Sequence, residues 1–307
     1  MPSTDQIVAA ERQNLMTLMD AGPYKVPSRK LNENLVIATW NIQQFSNRHT
    51  KRAIQYIADI CERFDIVALQ EVKTDLRGLQ RLQEALPGNY RILVSDPTGN
   101  YERFAFLYDK RSVVATGFAS DIGFTVPAAS HEGYQLHRMP YCASFRAGRF
   151  DFVIATAHIY FGESDAEREQ RRKEIATLVD FIDHRSRSSR YKVFDRDFFM
   201  VGDLNIEEKD DPFFDALVSR GFEMPDGMNS LTTNVLRTHT FDKIAWVNRR
   251  EFKPTGRFNV VPFYKALFQD MSPKGGKAQI SDHLPLWAEF EIDSLTQQLD
   301  QILNPGG

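Results

Sequence analysis

The chain has 307 residues, a formal net charge of −3, 42% hydrophobic residues and 26% charged residues. This length is enough to bury a substantial core, and it permits one or two domains. The acidic balance excludes a protein that coats nucleic acid through bulk positive charge. No apolar run approaches the roughly 20 residues that a membrane-spanning helix needs.

Residues 1–34 form a polar leader, for which the pattern predicts a short helix and then a loop. We expect this leader to be an accessory contact surface or a solvated end. It lacks the basic and apolar regions of a secretory signal. The two cysteines, Cys61 in a helix-like pattern and Cys142 in a strand-like one, are expected to be buried free thiols. Together these features predict a reducing, cytoplasmic location.

From residue 35 onward, short β-rich runs alternate with helical ones. Some strand patterns are apolar throughout, which indicates that one face of the strand lies against another layer. Ser164 and Glu167 predict a capping box at the start of the third helix. The predicted strands are 35–40, 66–70, 90–94, 103–108, 140–146, 150–157, 198–202, 242–247 and 284–291, and the predicted helices are 49–64, 76–86, 165–185 and 211–219.

No linker rich in proline, glycine or serine divides these elements, so the pattern predicts one domain of packed sheets with outer helices. Polar residues border the apolar runs repeatedly, which suggests a single site at the edge of a sheet. Their types suit a hard cation and an in-line attack on phosphorus. They are Asn41, Glu71, His158, Asp203, Asn205, Asp242, Asp282 and His283.

The strongest local motif is MVGDLNI, in which Asp203 and Asn205 lie two residues apart. In an extended chain these side chains point the same way. The carboxylate can then hold a cation or polarise a water, and the amide can donate to a phosphoryl oxygen. The alternative interpretation is a turn-forming pair after a strand.

The other motifs also have ordinary alternatives when each is taken alone. Asp282 and His283 in ISDHLPLW suit a metal ligand and a general base or acid, or else a surface turn. Glu71 in IVALQEV is an exposed acid at a strand end in its simplest interpretation, and His158 in ATAHIYFG is a hydrogen-bonded core residue. Asn41 and Asp242 have equally simple interpretations.

In this order and spacing, the set resembles the endonuclease/exonuclease/phosphatase superfamily over about residues 35–292. The resemblance implies a four-layered α/β sandwich, with two packed mixed β-sheets flanked by helices. It also implies a catalytic domain over 35–292, preceded by the leader 1–34 and followed by a tail, 293–307. The motifs that carry it are TWN at Asn41, LQEV at Glu71, ATAH at His158, GDLN at Asp203 and Asn205, FDKI at Asp242, and SDH at Ser281, Asp282 and His283.

Three further residues resemble the deoxyribonuclease I-like branch. In ERFAFLY, Glu102 matches the acid that orients the central histidine. In HRMPYCASF, Arg138 matches a phosphate contact, and Lys73 matches a basic position that touches the nucleic-acid backbone. The chain departs from the secreted enzymes of this branch by lacking their signal peptide and disulfides, and this departure leaves the substrate open.

The residues permit a mechanism for phosphodiester hydrolysis. We expect His283, supported by Asp242, to take the proton of the attacking water. Asp203 would orient that water or help to bind a metal, and Glu71 would bind Mg²⁺ or Mn²⁺ with Asp282 as a second contributor. His158, oriented by Glu102, would donate to the phosphate or assist the leaving oxygen. Asn41 and Asn205 would donate to non-bridging oxygens.

Three functions are compatible with this chemistry. The leading one is a Mg²⁺-dependent DNA endonuclease with little sequence preference, because such a sandwich contacts the backbone rather than base edges; RNA is a possible alternative polymer. The second is a phosphatase or phosphodiesterase acting on a phosphorylated small molecule or lipid headgroup, for which the KGGK loop 274–277 would supply basic groups. The third is a binding module that has lost catalysis. The sequence leaves the oligomeric state open.

Overall fold

The computed structural model describes residues 3–123, 135–188, 197–207, 212–218, 220–247, 252–268, 275, 279–292, 299 and 303. Its helices are α1 (Thr4–Asp20), α2 (Lys51–Cys61), α3 (Arg77–Ala85), α4 (Asp165–Arg187) and α5 (Pro212–Val218). Its strands are β1 (Asn34–Phe45), β2 (Ile66–Lys73), β3 (Tyr90–Val94), β4 (Glu102–Asp109), β5 (Val114–Asp121), β6 (Tyr141–Ala147), β7 (Phe150–His158), β8 (Phe198–Asp203), β9 (Asp242–Val247), β10 (Lys253–Val260) and β11 (Leu286–Glu291).

The strands form two sheets. Sheet A has the order β10-β11-β1-β2-β4-β3, and sheet B has the order β5-β6-β7-β8-β9. Strands β1 and β2 pair in parallel, as do β7 and β8, and the other pairs are antiparallel. Both sheets are therefore mixed. They pack face to face between outer helices, which confirms the predicted α/β sandwich.

Strand β8 shows why some runs are apolar throughout. Phe199 and Val201 belong to the core between the two sheets, while Phe198 and Met200 belong to a second core that includes the apolar face of α4. A strand covered on both faces needs apolar residues at consecutive positions. Helix α4 begins with the predicted capping box, in which Ser164 Oγ accepts from Glu167 N and the Glu167 side chain accepts from Ser164 N.

The strands that the sequence analysis missed, β5 and β10, both lie at sheet edges. Strand β5 carries mostly exposed residues and Gly117, and β10 contains Pro254 and Gly256. Edge strands need apolar residues on fewer positions, and they tolerate proline because one side of the backbone is unpaired. Each also pairs with a shifted register at its glycine, so neither shows a regular alternation.

The leader packs onto the sandwich through α1. Leu15 and Met19 are fully buried in the core, and Arg12 forms an ion pair with Asp59 of α2, with Nε 2.7 Å from Oδ2. The division of the chain at residue 34 stays a prediction. Of the predicted tail 293–307, only Leu299 and Leu303 are described.

Cys61 and Cys142 are both buried and free, as predicted. None of the helices in the described ranges is long and apolar enough to cross a membrane.

Candidate active site

The strand directions bring the predicted polar residues to one edge of the sandwich. In sheet A, the parallel strands β1 and β2 carry Asn41 and Glu71 toward their carboxyl ends, where the antiparallel strand β4 begins with Glu102. In sheet B, His158 and Asp203 end the parallel strands β7 and β8 and lie opposite each other in register. Strand direction therefore explains why some polar residues follow apolar runs and others precede them.

Asp242 begins β9 opposite Asp203, and His283 lies just before β11. Three contacts in this cluster join the two sheets. Nδ2 of Asn41 donates to Oδ2 of Asp203 over 3.0 Å, and His283 Nδ1 lies 2.8 Å from Asp242 Oδ2. Between β4 and β7, Glu102 Oε2 lies 3.6 Å from His158 Nδ1. The site is thus built across the junction of the sheets rather than within either one.

Asp203 is the centre of the cluster. Its Oδ2 lies 3.7 Å from Nε2 of His158 and 3.7 Å from Nε2 of His283, and its Oδ1 accepts from Asn205 N over 3.1 Å. Burial alone would raise the pKa of Asp203, but the two histidines and the Asn41 hydrogen bond outweigh burial and lower it. The carboxylate is therefore ionised between two imidazoles.

The backbone beside Asp203 requires a glycine. Gly202 has a φ of 139°, and a Cβ at this position would lie 2.0 Å from the carbonyl oxygen of Ala157 on β7. Asn205, two residues after Asp203, also has a positive φ, 52°. Its Nδ2 donates to the carbonyl oxygen of Ile159 over 2.7 Å, so the segments that follow β7 and β8 are tied together.

His283 is held from both sides. Its Nδ1 faces Asp242, and its backbone N–H donates to Ser281 Oγ over 3.0 Å, while Ser281 Oγ donates to the Asn41 carbonyl over 2.6 Å. Burial lowers the pKa of His283, but the carboxylates of Asp242 and Asp203 outweigh it and raise the pKa above its ordinary value. This imidazole can accept a proton and stabilise the resulting cation.

Glu102 joins three basic side chains. Its Oε2 accepts from Arg138 Nε over 3.0 Å, its Oε1 accepts from Lys73 Nζ over 3.2 Å, and His158 lies beside it. Burial raises the pKa of Glu102, but His158, Arg138 and Lys73 outweigh burial and lower it to about 2. Arg138 and Lys73 thus contact a carboxylate of the protein, and their predicted contact with substrate phosphate stays a prediction.

Glu71 lies in an irregular part of β2. Its φ is 60°, and the pairing of β2 with β4 shifts register between Leu69 and Val72. Its Oε1 accepts from Asn41 Nδ2 over 2.9 Å, and its Oε2 accepts from Gln44 N over 3.0 Å. A left-handed backbone in a non-glycine residue is a form of strain that is common at functional sites.

The residues fit a hard cation that keeps most of its water. Among the residues described, no three histidine, cysteine or acidic side chains converge as a ready-made metal group. Magnesium needs only one or two protein carboxylates, because it retains several waters. Glu71 is half-buried, and each of its oxygens has lone-pair capacity beyond the one hydrogen bond noted. Asp282 is also half-buried, and its predicted part as a second ligand stays a prediction.

A polar cleft of about 830 Å³ is lined by Lys73 and by Gln44, whose backbone N–H donates to Glu71. The loop between β1 and α2 forms one wall, and Arg81 fixes this loop through hydrogen bonds from Nη1 to the carbonyls of Asn47 and His49. Three cationic residues and one acid line the cleft, namely Arg48, Lys73, Arg77 and Asp75. In the alternative basic segment, KGGK, both Lys274 and Lys277 lie outside the described residues.

Two buried charged residues of α4 were missed by the sequence analysis. Arg171 donates to the carbonyl of Asn205 over 2.8 Å, and Glu174 accepts from the backbone N–H of Tyr160 over 2.9 Å. Both lie on the helix face that carries Ile175 and Leu178. The signal was present, because charges on the apolar face of a helix are rarely buried without a specific partner.

The model of the endonuclease/exonuclease/phosphatase family matches residues 38–283. Human deoxyribonuclease-1 is 33% identical over 100 residues, which cover 29% of this chain and 36% of the human protein. The chain thus matches about a third of the length of its curated deoxyribonuclease-1 relatives, from human and rat.

Solved structures show the same fold. Truncated TDP2 of Caenorhabditis elegans has a TM-score of 0.58 at 19% identity, over 84% of this chain and 97% of that chain. A mannosyl-6-phosphatase of Bacteroides thetaiotaomicron has a TM-score of 0.57 at 17% identity, over 83% of this chain and 99% of that one. From the family match, the sandwich fold and the site at the junction of its sheets, we conclude that this chain belongs to the endonuclease/exonuclease/phosphatase family.

Proposed function

We propose that the chain is a divalent-cation-dependent phosphodiesterase that cleaves DNA as an endonuclease with little sequence preference. The observation that carries this proposal is the pair of imidazoles on one carboxylate. Nε2 of His158 and Nε2 of His283 each lie 3.7 Å from Asp203 Oδ2, and each ring has a separate acid at its Nδ1. Hydrolysis of a phosphodiester needs one group to receive a proton and another to stabilise the leaving side.

His283 is suited to receive the proton of the attacking water. Asp242 would accept from the Nδ1–H of the ring, which would leave Nε2, toward Asp203, as the proton acceptor. Asp203 can accept a hydrogen bond from the same water and so fix its direction. The carboxylates of Asp242 and Asp203 raise the pKa of His283 to about 10, so they favour the imidazolium, and the ring must lose a proton before it can act as the base.

His158 is suited to the leaving side. Glu102 lies beside its Nδ1, and Arg138 approaches its backbone carbonyl, with Nη1 3.5 Å from that oxygen. Glu102 is thus the neighbour of the ring and Arg138 the neighbour of the backbone, and Nε2 of the ring can donate to a phosphoryl oxygen or to the leaving oxygen. Asn41 Nδ2 donates to Glu71 and Asp203, and Asn205 Nδ2 donates to the Ile159 carbonyl, so donation of these amides to non-bridging oxygens stays a prediction. Preorganised donors contribute about 3 kcal/mol each to stabilisation of a transition state.

Glu71, with Asp282 as a second contributor, would hold the cation. A bound divalent cation supplies positive charge for the oxygens of the phosphoryl group as negative charge develops on them. The hydrogen bonds to Glu71 from Asn41 and from the backbone of Gln44 fix its carboxylate in place whether or not a cation is present.

DNA is favoured as the substrate by two observations. The partial relatives in human and rat are deoxyribonuclease-1. We expect Arg48 of the polar cleft to contact phosphates that flank the scissile one, together with Lys73 and Arg77, which also pair with Glu102 and Asp75. A chain with a net charge of −3 needs such a local concentration of cations to bind a polyanion.

The test is an incubation of the purified protein with supercoiled plasmid, linear DNA, RNA and inositol polyphosphates, each with Mg²⁺, Mn²⁺ or EDTA. We expect nicking of the plasmid that requires the cation and shows no preferred sequence at the cut ends. If phosphate is released from the inositol compounds and no nucleic acid is cleaved, the chain is a phosphatase and not a nuclease. If no substrate is cleaved under any condition, the result would favour a binding module that has lost catalysis.

A further inference from the structure

Helix α4 contains two charged side chains that are fully buried, which is rare unless their partners are specific. Arg171 and Glu174 both have a relative exposure of 0%. They lie one turn apart on the face that packs against sheet B, and neither belongs to the residues proposed above to touch the substrate. Their contacts are made with the segments that follow β7 and β8 and with the segment that precedes β6.

Glu174 joins the segments on the two sides of His158. Its Oε2 accepts from the backbone N–H of Tyr160 over 2.9 Å, and its Oε1 accepts from the backbone N–H of His137 over 2.9 Å. Tyr160 lies two residues after His158, and His137 immediately precedes Arg138. One carboxylate therefore sets the separation between the segment that carries His158 and the segment that carries Arg138.

Arg171 makes the corresponding connection to the segment that follows β8. Its Nη1 donates to the carbonyl of Asn205 over 2.8 Å, and its Nη2 donates to the carbonyl of Gly162 over 2.6 Å. Nη1 also lies 3.0 Å from Glu207 Oε1. A planar guanidinium can hold several acceptors in fixed directions, which a lysine cannot do.

We propose that Arg171 and Glu174 are positioning residues that set the geometry of His158, Arg138 and Asn205 from behind the site. Helix α4 then does more than cover sheet B, because it fixes three segments of the phosphate-binding side relative to one another. This inference rests on the proposed function for its kinetic consequence. Its structural consequence, the placement of the His158 ring, can be measured without any substrate.

The sharpest variant is Glu174→Gln. A carboxamide has one oxygen, so it can accept from only one of the two backbone N–H groups and turns its own NH₂ toward the other. The matched control is Glu169→Gln, because this substitution makes the same chemical change at an exposed position of the same helix. Arg171→Met and Arg172→Met form a second matched pair, one buried and one exposed.

The first measurement is the nuclear magnetic resonance of ¹⁵N-labelled histidine, with the His158 ring signals assigned through His158→Asn. We expect the ring signals of His158 to shift in Glu174→Gln and to stay at the wild-type positions in Glu169→Gln. Unchanged ring signals in a folded Glu174→Gln protein would overturn the proposal. If Glu174→Gln does not fold, Arg171→Met is measured in the same way and decides the question.

The second measurement compares two DNA duplexes, one normal and one with sulfur in place of the leaving oxygen at a single site. A thiolate leaves without protonation. A displaced His158 should therefore slow cleavage of the normal duplex more than cleavage of the sulfur-substituted duplex. We expect kcat on the normal duplex to fall about 10- to 100-fold, as a misplacement of about 1 Å can cause, and to fall much less on the sulfur duplex. Equal losses on both duplexes would overturn the positioning role, whereas a wild type that cleaves neither would overturn the proposed function instead.

Discussion

The two ends of strands β2 and β4 each carry a pair of acids, and the pairs differ in their partners. At one end lie Asp65 and Asp109, and at the other lie Glu71 and Glu102. Asp109 forms ion pairs with Arg29 and Arg111, with N–O distances of 2.9 and 2.6 Å. Asp65 accepts from the backbone N–H of Val36 over 2.8 Å.

At the other end, the partners are groups that can exchange protons or turn toward a ligand. Glu102 lies among a histidine, a lysine and an arginine, and Glu71 accepts from an amide and one backbone N–H. Burial at a strand end therefore does not by itself identify an acid as functional. Guanidinium, amide and backbone partners occur at both ends, so the distinguishing partner is the imidazole of His158 beside Glu102.

The largest effect is expected from removing an imidazole at the catalytic end. We predict that His283→Ala lowers kcat for plasmid nicking by about 10²- to 10⁴-fold, the usual contribution of a general base. The melting temperature should also fall, because His283→Ala leaves the fully buried Asp242 without its ring partner, so kcat is compared per folded molecule. The control is His184→Ala, an exposed histidine of α4. Near-wild-type nicking by His283→Ala would contradict His283 as the general base, and the two ends would then not differ in chemistry.

At the opposite end, the same kind of substitution should affect stability and leave the chemistry intact. Burial raises the pKa of Asp109, but hydrogen bonds and charge from Arg111, with Arg29 and Asn89, outweigh burial and lower it. Asp109→Asn should therefore cost about 3 kcal/mol of unfolding free energy at neutral pH, as loss of one partner of a buried pair does. Denaturant unfolding measures this cost, and kcat per folded molecule should be unchanged.

The free energy that Asp109 contributes to stability should fall as the pH is lowered. A lowered pKa in the folded state adds stability above the unfolded value near 3.8, and that stability is lost as the pH falls through the lower folded value. The acid side of the stability curve should thus be flatter in Asp109→Asn than in the wild type. Asp75→Asn is the matched control, because Asp75 makes the same contact with Arg77 two residues later but is exposed. Equal losses in both variants would contradict a structural role that depends on burial.

A smaller effect is expected from the acid that would hold the cation. We predict that Glu71→Gln raises the Mg²⁺ concentration for half-maximal nicking by about tenfold or more, and that excess Mg²⁺ partly restores the rate. The neutral amide keeps an oxygen for the cation but loses the charge that attracts it. Glu84→Gln, on an exposed position of α3, is the control. An unaltered Mg²⁺ titration for Glu71→Gln would contradict Glu71 as a ligand.

The smallest effect should come from the cations around the site. We predict that Lys73→Met lowers the slope of log KM against log salt concentration by about 1, because one phosphate contact is lost. Lys110→Met, an exposed lysine at the opposite end of β4, should leave the slope unchanged. Equal slopes in the two variants would restrict Lys73 to its contact with Glu102.

The sequence predicted which polar residues lie together and which acid accompanies each histidine, but not the contacts of Lys73, Arg171 and Glu174. Apolar runs fix which strands are central, and the polar residues at their ends follow from strand direction, so Asn41, Glu71, His158, Asp203 and Asp242 were identifiable. Asp65 and Asp109 also border apolar runs, and only the order of the family motifs separates them from the acids of the candidate site.

The edge strands and the second layer of contacts were not predicted. Strands β5 and β10 lack regular alternation because one edge of each is unpaired. The contacts of Lys73 with Glu102 and of Glu174 with His137 join residues 29 and 37 positions apart. Local periodicity carries no information about such pairs, since loop paths and strand register decide them.

The three contacts that join the sheets give the site an additional property. Asn41 with Asp203, His283 with Asp242, and Glu102 with His158 each combine one residue from each half of the sandwich. A compact state with both sheets formed but loosely docked would retain its secondary structure and lose every one of these pairs. Catalytic turnover should therefore report the docking of the two sheets, and during gradual denaturation it should vanish before the far-ultraviolet circular dichroism signal changes.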